Sequence, residues 1–405
     1  MVLLFQGIKS ISRIIITLVL LLLFIISIQY YHTEIYKKQP SLPFSGNHFY
    51  NPYQDYLPNP VKANFHAHST THFKITNGAQ SPVEIFKAYT DSGYQVASLS
   101  NYQSITNNPL TENYIPVYEH GFSISKYHQL IINAKSVSFF DFVLFQNHHQ
   151  KQQILKRLKT NNNLVALAHP ALNNAVTSND LKYLRGYDLM EVYTGYSPTS
   201  RLWDAALSAG YPIWLLANDD THNIYKPNDA FRRWNRIYSN ESTKNGIVGA
   251  LAKGCHYGVS NTGSANDINR LDSCTVNNGL VKVYFRQTAD SIRFITDKGI
   301  VSKHIIKASE AEYSMLTTNT YVRIDAYTAT ESIILNPVIR YNGKKLRDNF
   351  DFPPVDLFKT ALYRFLVLIV NTIIVIIILA LNGKIRLVGK FPRVVVNVGR
   401  WKLAI

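Results

Sequence analysis

Two apolar runs near the chain ends set the first limit on what this sequence can become. Residues 14–28 are almost unbroken Ile, Leu, Val and Phe, and residues 365–381 are interrupted only by Asn371 and Thr372. A helix needs roughly 17 to 25 apolar residues to cross a bilayer, so each run with its flanks is long enough. Lys9 and Arg13 precede the first run, and Lys384, Arg386, Lys390, Arg393, Arg400 and Lys402 follow the second. Neither flank holds an acidic residue, so half of the formal charge of +16 belongs to the ends. Cations beside a spanning segment prefer the cytoplasmic side. Both flanks therefore predict one topology: a cell-membrane protein with the lipid bilayer as partner, both termini cytoplasmic and residues 32–360 outside. Residues 26–36 offer no small-x-small cleavage site, which favours an uncleaved anchor over a signal peptide.

The whole chain, 405 residues at 46% hydrophobic, leaves room for one large domain or two ordinary ones and is not a disordered tail. Two cysteines exclude a disulfide scaffold. Cys255 and Cys274 can pair outside the cytoplasm, but spacing alone does not decide between a disulfide and two thiols.

The predicted organisation is an N-terminal flank and anchor over 1–31, a juxtamembrane linker over 32–61, a first domain over 62–255, a β-rich accessory domain over 256–353, a C-terminal membrane helix over 354–382 and a basic tail over 383–405. In the first domain short β-type runs at 63–65, 96–99, 115–118, 130–132, 164–168, 189–192 and 213–217 alternate with helical patterns, as repeated βα units do. Seven runs are close to a barrel count. Ser81-Pro82-Val83-Glu84 is a capping box with proline at the first helical position. That helix is predicted to run to Gly93, with further helices at 151–160, 200–209 and 241–253.

The chemistry-bearing residues fall at the ends of those strands. Phe65-His66-Ala67-His68 closes the first, and alternate residues of an extended stretch face the same way, so both imidazoles can converge on one ion. Glu119 follows the 115–118 run, His128 precedes 130–132, His169 follows 164–168, and Asp220-Thr221-His222 lies just beyond 213–217. In a parallel barrel the C-terminal strand ends surround one opening, which gathers residues distant in sequence. Each alone has an ordinary structural role open to it; the set is hard to explain that way.

With these residues in view, the chain resembles the polymerase and histidinol phosphatase (PHP) domain family over about residues 61–255. The resemblance rests on His66-Ala67-His68, Ser81-Pro82-Val83-Glu84, Glu119, His128, Ala168-His169-Pro170, Glu191-Val192-Tyr193 and Asp220-Thr221-His222. It implies an α/β fold, a distorted (β/α)7 TIM-like barrel, and a metal-dependent phosphoesterase. It implies two divalent ions: His66, His68, Glu119 and Asp220 on one, and Glu119, His128 and His169 on the other, with Glu119 bridging. Imidazole with carboxylate suits Zn, Mn or Fe without choosing among them. Glu119 and Asp220 would be the catalytic carboxylates. The family's second-strand Thr-Asp-His is Ser100-Asn101-Tyr102 here, and Asn77-Gly78 replaces its acidic residue and glycine. A third ion would therefore keep only His222, unless His72 joins it. Glu191 matches a family position and is expected to support the barrel. The β-rich segment looks like the C-terminal portion of membrane-associated members.

Arg232 and Arg233, with Tyr102, are the candidates for contacting substrate, and Arg201 is a further cation able to hold a phosphate. The favoured function is an extracytoplasmic phosphoesterase acting on a phosphorylated small molecule or envelope polymer. The alternative is a degenerate, metal-dependent binding module for a phosphorylated ligand, for which Asn101, Tyr102 and Asn77 speak. A purely structural envelope scaffold has no sequence support. A nucleic-acid partner is not favoured, because no basic stripe interleaved with aromatics is present.

Overall fold

The computed structural model describes residues 2–54, 59–72, 78–108, 111, 114–196, 199–239, 241, 243–344, 346, 351–388, 393–398 and 401–404. Asn77 lies outside them. The chain divides into two compact units, residues 1–37 with 354–405, and residues 38–353.

In the first unit, helix α1 (Val2–Tyr31) contains an apolar span at Gly7–Tyr31, and the other span is the C-terminal helix Leu357–Leu381. Each span has 25 residues, which at about 1.5 Å per residue exceeds the roughly 30 Å of a bilayer core. The two helices pack antiparallel: Asn382 Nδ2 donates to Thr17 Oγ1 at 3.3 Å, and farther along the pair Ser27 Oγ donates to Asn371 Oδ1. Asn371, an interruption in the apolar run, thus finds its partner on the other helix. Where α1 ends and the C-terminal helix begins the two segments meet again, Tyr36 bridging Val355 and Ile35 N donating to Thr360 Oγ1 at 2.9 Å.

The second unit is mixed α/β. It runs β1 (His48–Tyr50), β2 (Val61–Asn64), α2 (Pro82–Asp91), β3 (Val96–Ala97), β4 (Val117–His120), β5 (His128–Ile132), α3 (His148–Leu158), β6 (Leu164–Ala168), α4 (Ser178–Leu181), β7 (Leu189–Tyr193), α5 (Ser200–Ser208), β8 (Trp214–Ala217), β9 (Arg233–Ile237), α6 (Lys244–Ala252) and β10 (His256–Asn261). Six further strands follow: β11 (Leu271–Asn277), β12 (Leu280–Thr296), β13 (Ile300–Ser314), β14 (Tyr321–Tyr327), β15 (Glu331–Leu335) and β16 (Val338–Tyr341). The capping box forms as expected: Ser81 N donates to Glu84 Oε2 at 2.8 Å, and Ser81 Oγ accepts from Glu84 N at 3.4 Å. The second helix begins earlier than expected, at His148, because Asn147 and Gln150 make a capping box of their own.

The strands form two sheets, and here the expectation of a repeated parallel βα barrel needs correcting. One sheet is β4-β5-β6-β7-β8, antiparallel across its first two pairs and parallel across the last two. Only residues 121–127 join β4 to β5, too short a connection for the dozen or so residues a parallel crossover needs. The other sheet runs β1-β16-β14-β15-β10-β9-β2-β3, with β11, β12 and β13 branching from it. Among the described residues no ladder closes either sheet on itself. The two touch through single bridges, Ala67 with Thr221 and Tyr102 with Glu119.

Strands β5, β6 and β8 are buried along their whole length, so their residues pack on both faces. Strand β10 pairs with β9 on one side and β15 on the other, so the same sheet carries the later strands. A buried ion network ties α5 to β14: Arg323 donates to Asp204 at 2.8 and 2.9 Å and to Asp325 at 2.5 Å, and Tyr321 Oη donates to Asp204 at 2.9 Å. No disulfide joins Cys255 and Cys274, and burial pushes the Cys274 thiol up to about 12.

Candidate metal centre

The stretch after β2 is the spine of the site. His68 N donates to Thr221 O at 2.8 Å and Asp220 N to His66 O at 3.0 Å on one side, while Ser100 N donates to Ala67 O at 2.9 Å on the other. Glu119 N reaches Ser100 O at 3.1 Å, which brings β4 alongside. Extended backbone turns His66 and His68 to the same side, as their spacing requires. Gly78 lies so close that a Cβ there would meet the Ser69 carbonyl at 2.5 Å, a fit open only to glycine.

Six residues from five places in the chain meet on that side. His66 Nε2 lies 3.0 Å from Asp220 Oδ1 and 3.6 Å from Glu119 Oε2. His68 Nε2 lies 3.2 and 3.1 Å from the same two oxygens, and 3.2 Å from His66 Nε2. The other carboxylate oxygen, Glu119 Oε1, lies 2.6 Å from His128 Nδ1 and 3.1 Å from His169 Nε2. His66, His68, Glu119, His128, His169 and Asp220 are all buried. His169 and Asp220 hold left-handed backbone, at φ 29° and 56°, a conformation that costs of order 1–3 kcal/mol for such residues and clusters at functional sites.

The decisive detail is what these atoms do not do. Glu119 Oε2 and Asp220 Oδ1 are buried and accept no hydrogen bond, although imidazole nitrogens surround them. Buried polar atoms are normally satisfied. Donor atoms that converge at 3.0–3.6 Å without hydrogen-bond alignment suit a common cation. Two groups have ligand atoms close enough to share an ion: His66, His68 and Asp220, and His66, Glu119 and His169. The residues therefore fit divalent metal ions.

The acids and imidazoles of the cluster also hold one another's charge. Burial works against the ionised form of Glu119, yet the imidazoles of His128 and His66 hold its carboxyl well below the usual range. Burial likewise opposes ionised Asp220, and His66 and His68 outweigh it. For His66 burial disfavours the imidazolium, but Asp220, Glu191 and Glu119 raise its pKa well above the ordinary value.

Glu191 stands behind the cluster and holds two of its members. Its carboxylate accepts from His66 Nδ1 at 2.8 Å, from His169 N at 2.8 Å and from Asn218 Nδ2 at 2.9 Å. With one proton held on Nδ1 by Glu191, Nε2 is the His66 nitrogen that faces the cluster and would bind an ion on giving up its own proton. His222 Nδ1 donates to the Asp220 carbonyl at 2.8 Å, and its ring stacks on His68 at 4.7 Å, at the rim. Tyr102 stacks on the same ring at 4.8 Å and meets His128 edge-on at 5.4 Å. Burial raises its phenol pKa, so it stays a neutral donor.

Other candidates go elsewhere. His72 is exposed, and its Nε2 is spent on the Tyr102 carbonyl at 3.0 Å. Asn101 is a clamp, bonded to Ser69 and Thr106 at 2.8 Å. The backbone amides of Arg232 and Arg233 donate to Asp219 Oδ1 at 2.9 and 2.8 Å. That carboxylate also accepts from Tyr89 and Asn64, so consecutive Asp219 and Asp220 serve different sites. Among the described residues no contact joins Arg232 or Arg233 to the cluster, and Arg201 is exposed on α5. Two residues were not picked out from sequence: Asn218, for which only its place beside Asp219-Asp220 hinted, and Tyr196, whose ring lies 5.6 Å from His169.

No family model matches the chain, and no curated protein does. Among solved structures it is similar to a two-domain protein of Bacteroides vulgatus containing a predicted PHP-like metal-dependent phosphoesterase. The identity is 11%, the match covers 76% of this chain and 93% of that one, and the TM-score is 0.39. A likeness at that level says nothing of what this chain does.

Proposed function

We propose that the chain is a membrane-anchored, metal-dependent phosphoesterase. The observation that carries this is the pair of unsatisfied buried oxygens, Glu119 Oε2 and Asp220 Oδ1, facing His66 and His68 while Glu119 Oε1 faces His128 and His169. In this reading His66, His68, Glu119 and Asp220 hold one ion, and Glu119, His128 and His169 hold a second. Bound ions would supply a water nucleophile at neutral pH and positive charge for a phosphate group. The chain's own part is to place them. Glu119 sits between the two sites, where a carboxylate offsets the repulsion of two dications. Glu191 fixes the His66 tautomer and the His169 backbone. Tyr102, neutral and beside His68 and His128, donates a hydrogen bond to the phosphate. His222 at the rim is the one further imidazole for a third ion. The two bridges between the sheets support a distorted barrel-like arrangement of β2 to β8, with β11 to β16 as accessory strands. The basic flanks support cytoplasmic termini and an extracytoplasmic cluster.

A second reading, binding without turnover, is favoured by the Tyr102 ring, which covers His68 where a further ligand would otherwise stand. Hydrolysis of generic phosphate mono- and diesters by the full chain in detergent separates the two. The native chain is expected to turn over at least one class, and Glu119→Gln to lose at least a hundredfold in kcat/KM. No turnover by a metal-loaded native chain would leave the binding module. An unchanged rate in Glu119→Gln would reject the bridging role.

A further inference from the structure

The loops beside the second-ion half of the cluster expose apolar side chains that the proposed chemistry does not use. Residues 121–127 follow directly on Glu119-His120, and Gly121 packs so close to His128 that a Cβ would meet its ring at 2.7 Å. Phe122, Ile124 and Phe139 protrude, 44%, 51% and 69% exposed. They are not on slack chain. Phe122 N donates to the buried Asp141 carboxylate at 2.7 Å, Ile124 N to Val143 O at 3.0 Å, and Ser138 N to Tyr118 Oη at 3.1 Å. His120, itself buried, bonds the Phe140 carbonyl at 2.9 Å. Tyr196, half exposed, extends the apolar rim beyond His169.

The charges on these loops have one sign. Lys126 is exposed on one loop and the exposed Arg157 lies 3.8 Å over the Phe140 ring on the other, no acidic residue occurs between His120 and Phe140, and Asp141 is buried and occupied by backbone amides. Rigidly held apolar tips among unopposed cations match a surface of anionic headgroups over hydrocarbon, since each tip gains by burial and each cation by proximity to phosphate. A soluble anionic ligand would reward the cations and leave the tips in water.

We infer that Phe122, Ile124 and Phe139, with Lys126 and Arg157, form a docking surface for an anionic phospholipid leaflet, and that the phosphate ester reaching the cluster is borne by a lipid alcohol. The docking half stands by itself; the substrate half rests on the phosphoesterase reading. In that reaction the water oxygen bonds to phosphorus, the ester P–O bond breaks, and the lipid leaves as an alcohol carrying a proton from the water.

The full chain in nanodiscs tests both halves. Ile124→Cys, in a Cys255→Ser background and labelled with an environment-sensitive fluorophore, reports contact without any turnover. Quenching by spin-labelled lipid is expected in discs containing phosphatidylglycerol and at least threefold less in purely zwitterionic discs. No quenching in either, or equal quenching in both, overturns the docking surface. Phe139→Cys gives a second probe position should the first variant misfold. Phe122→Ser with Phe139→Ser is then expected to lower turnover of a lipid phosphate in the disc at least tenfold and that of a soluble aryl phosphate less than twofold. Parallel losses, or none, overturn the lipid substrate. Lipid contact by the labelled variant together with no hydrolysis of either substrate by the native chain confirms docking and defeats the phosphoesterase reading alone.

Discussion

The second unit buries charge in two places, and the two are built on opposite terms. In the Asp204–Arg323–Asp325 network the guanidinium donates three hydrogen bonds, each to a carboxylate oxygen, and Tyr321 adds another. In the cluster around Glu119 the oxygens and ring nitrogens crowd together, two of the oxygens accept nothing, and the backbone at His169 and Asp220 is left-handed. A complete network serves the fold. An incomplete one, held at a cost, is what an ion would finish.

That contrast predicts different consequences for removing one member of each. Asp204→Ala leaves Arg323 buried beside Asp325 alone and should destabilise the chain by about 3–5 kcal/mol, read in urea unfolding by the fluorescence of the neighbouring Trp203. Metal content of the folded fraction should not change. A loss below about 1 kcal/mol would mean the network is not the structural clasp described.

His256 offers a third case, a buried imidazole kept neutral. Its Nε2 donates to the Leu215 carbonyl at 2.7 Å, and burial lowers its pKa to about 4. The unfolded chain binds this proton below about pH 6.5, so stability present above that pH is lost as pH falls from 6.5 through 4, by about 3 kcal/mol in all. Because acid also titrates the carboxylates, the comparison is with His256→Gln, which should flatten the decline across that window. Identical pH profiles would show that His256 is not the group responsible.

Glu191 lies on the border between the two kinds, satisfied itself yet serving the unsatisfied atoms. Glu191→Gln keeps the size and loses an acceptor, and should weaken metal binding by about 10–100-fold with little change in folding. Equal affinities in competition with a chelator would remove Glu191 from the account.

These differences also mark what the sequence could disclose. Alternation made His66 and His68 legible as a pair, and strand ends located Glu119, His169 and Asp220, because both follow from local backbone period. The capping box at Ser81 was legible for the same reason. The antiparallel turn of β4 into β5 was hidden, since apolar runs carry no sign of direction and only the short 121–127 connection betrayed it. Arg323 and Asp204 stand 119 positions apart, and no local pattern pairs them. Nor could composition reveal that Asp219 and Asp220, adjacent and alike, would face different partners, or that Asn101 would spend its amide on Ser69 and Thr106.

Element analysis of the purified full chain, after dialysis against a weak chelator, tests the central claim most directly. The account predicts at least two divalent ions per native chain and fewer than one in Glu119→Gln, with the fold of the variant intact by circular dichroism. A native chain that retains no metal, or a Glu119→Gln chain that retains the full complement, would contradict it.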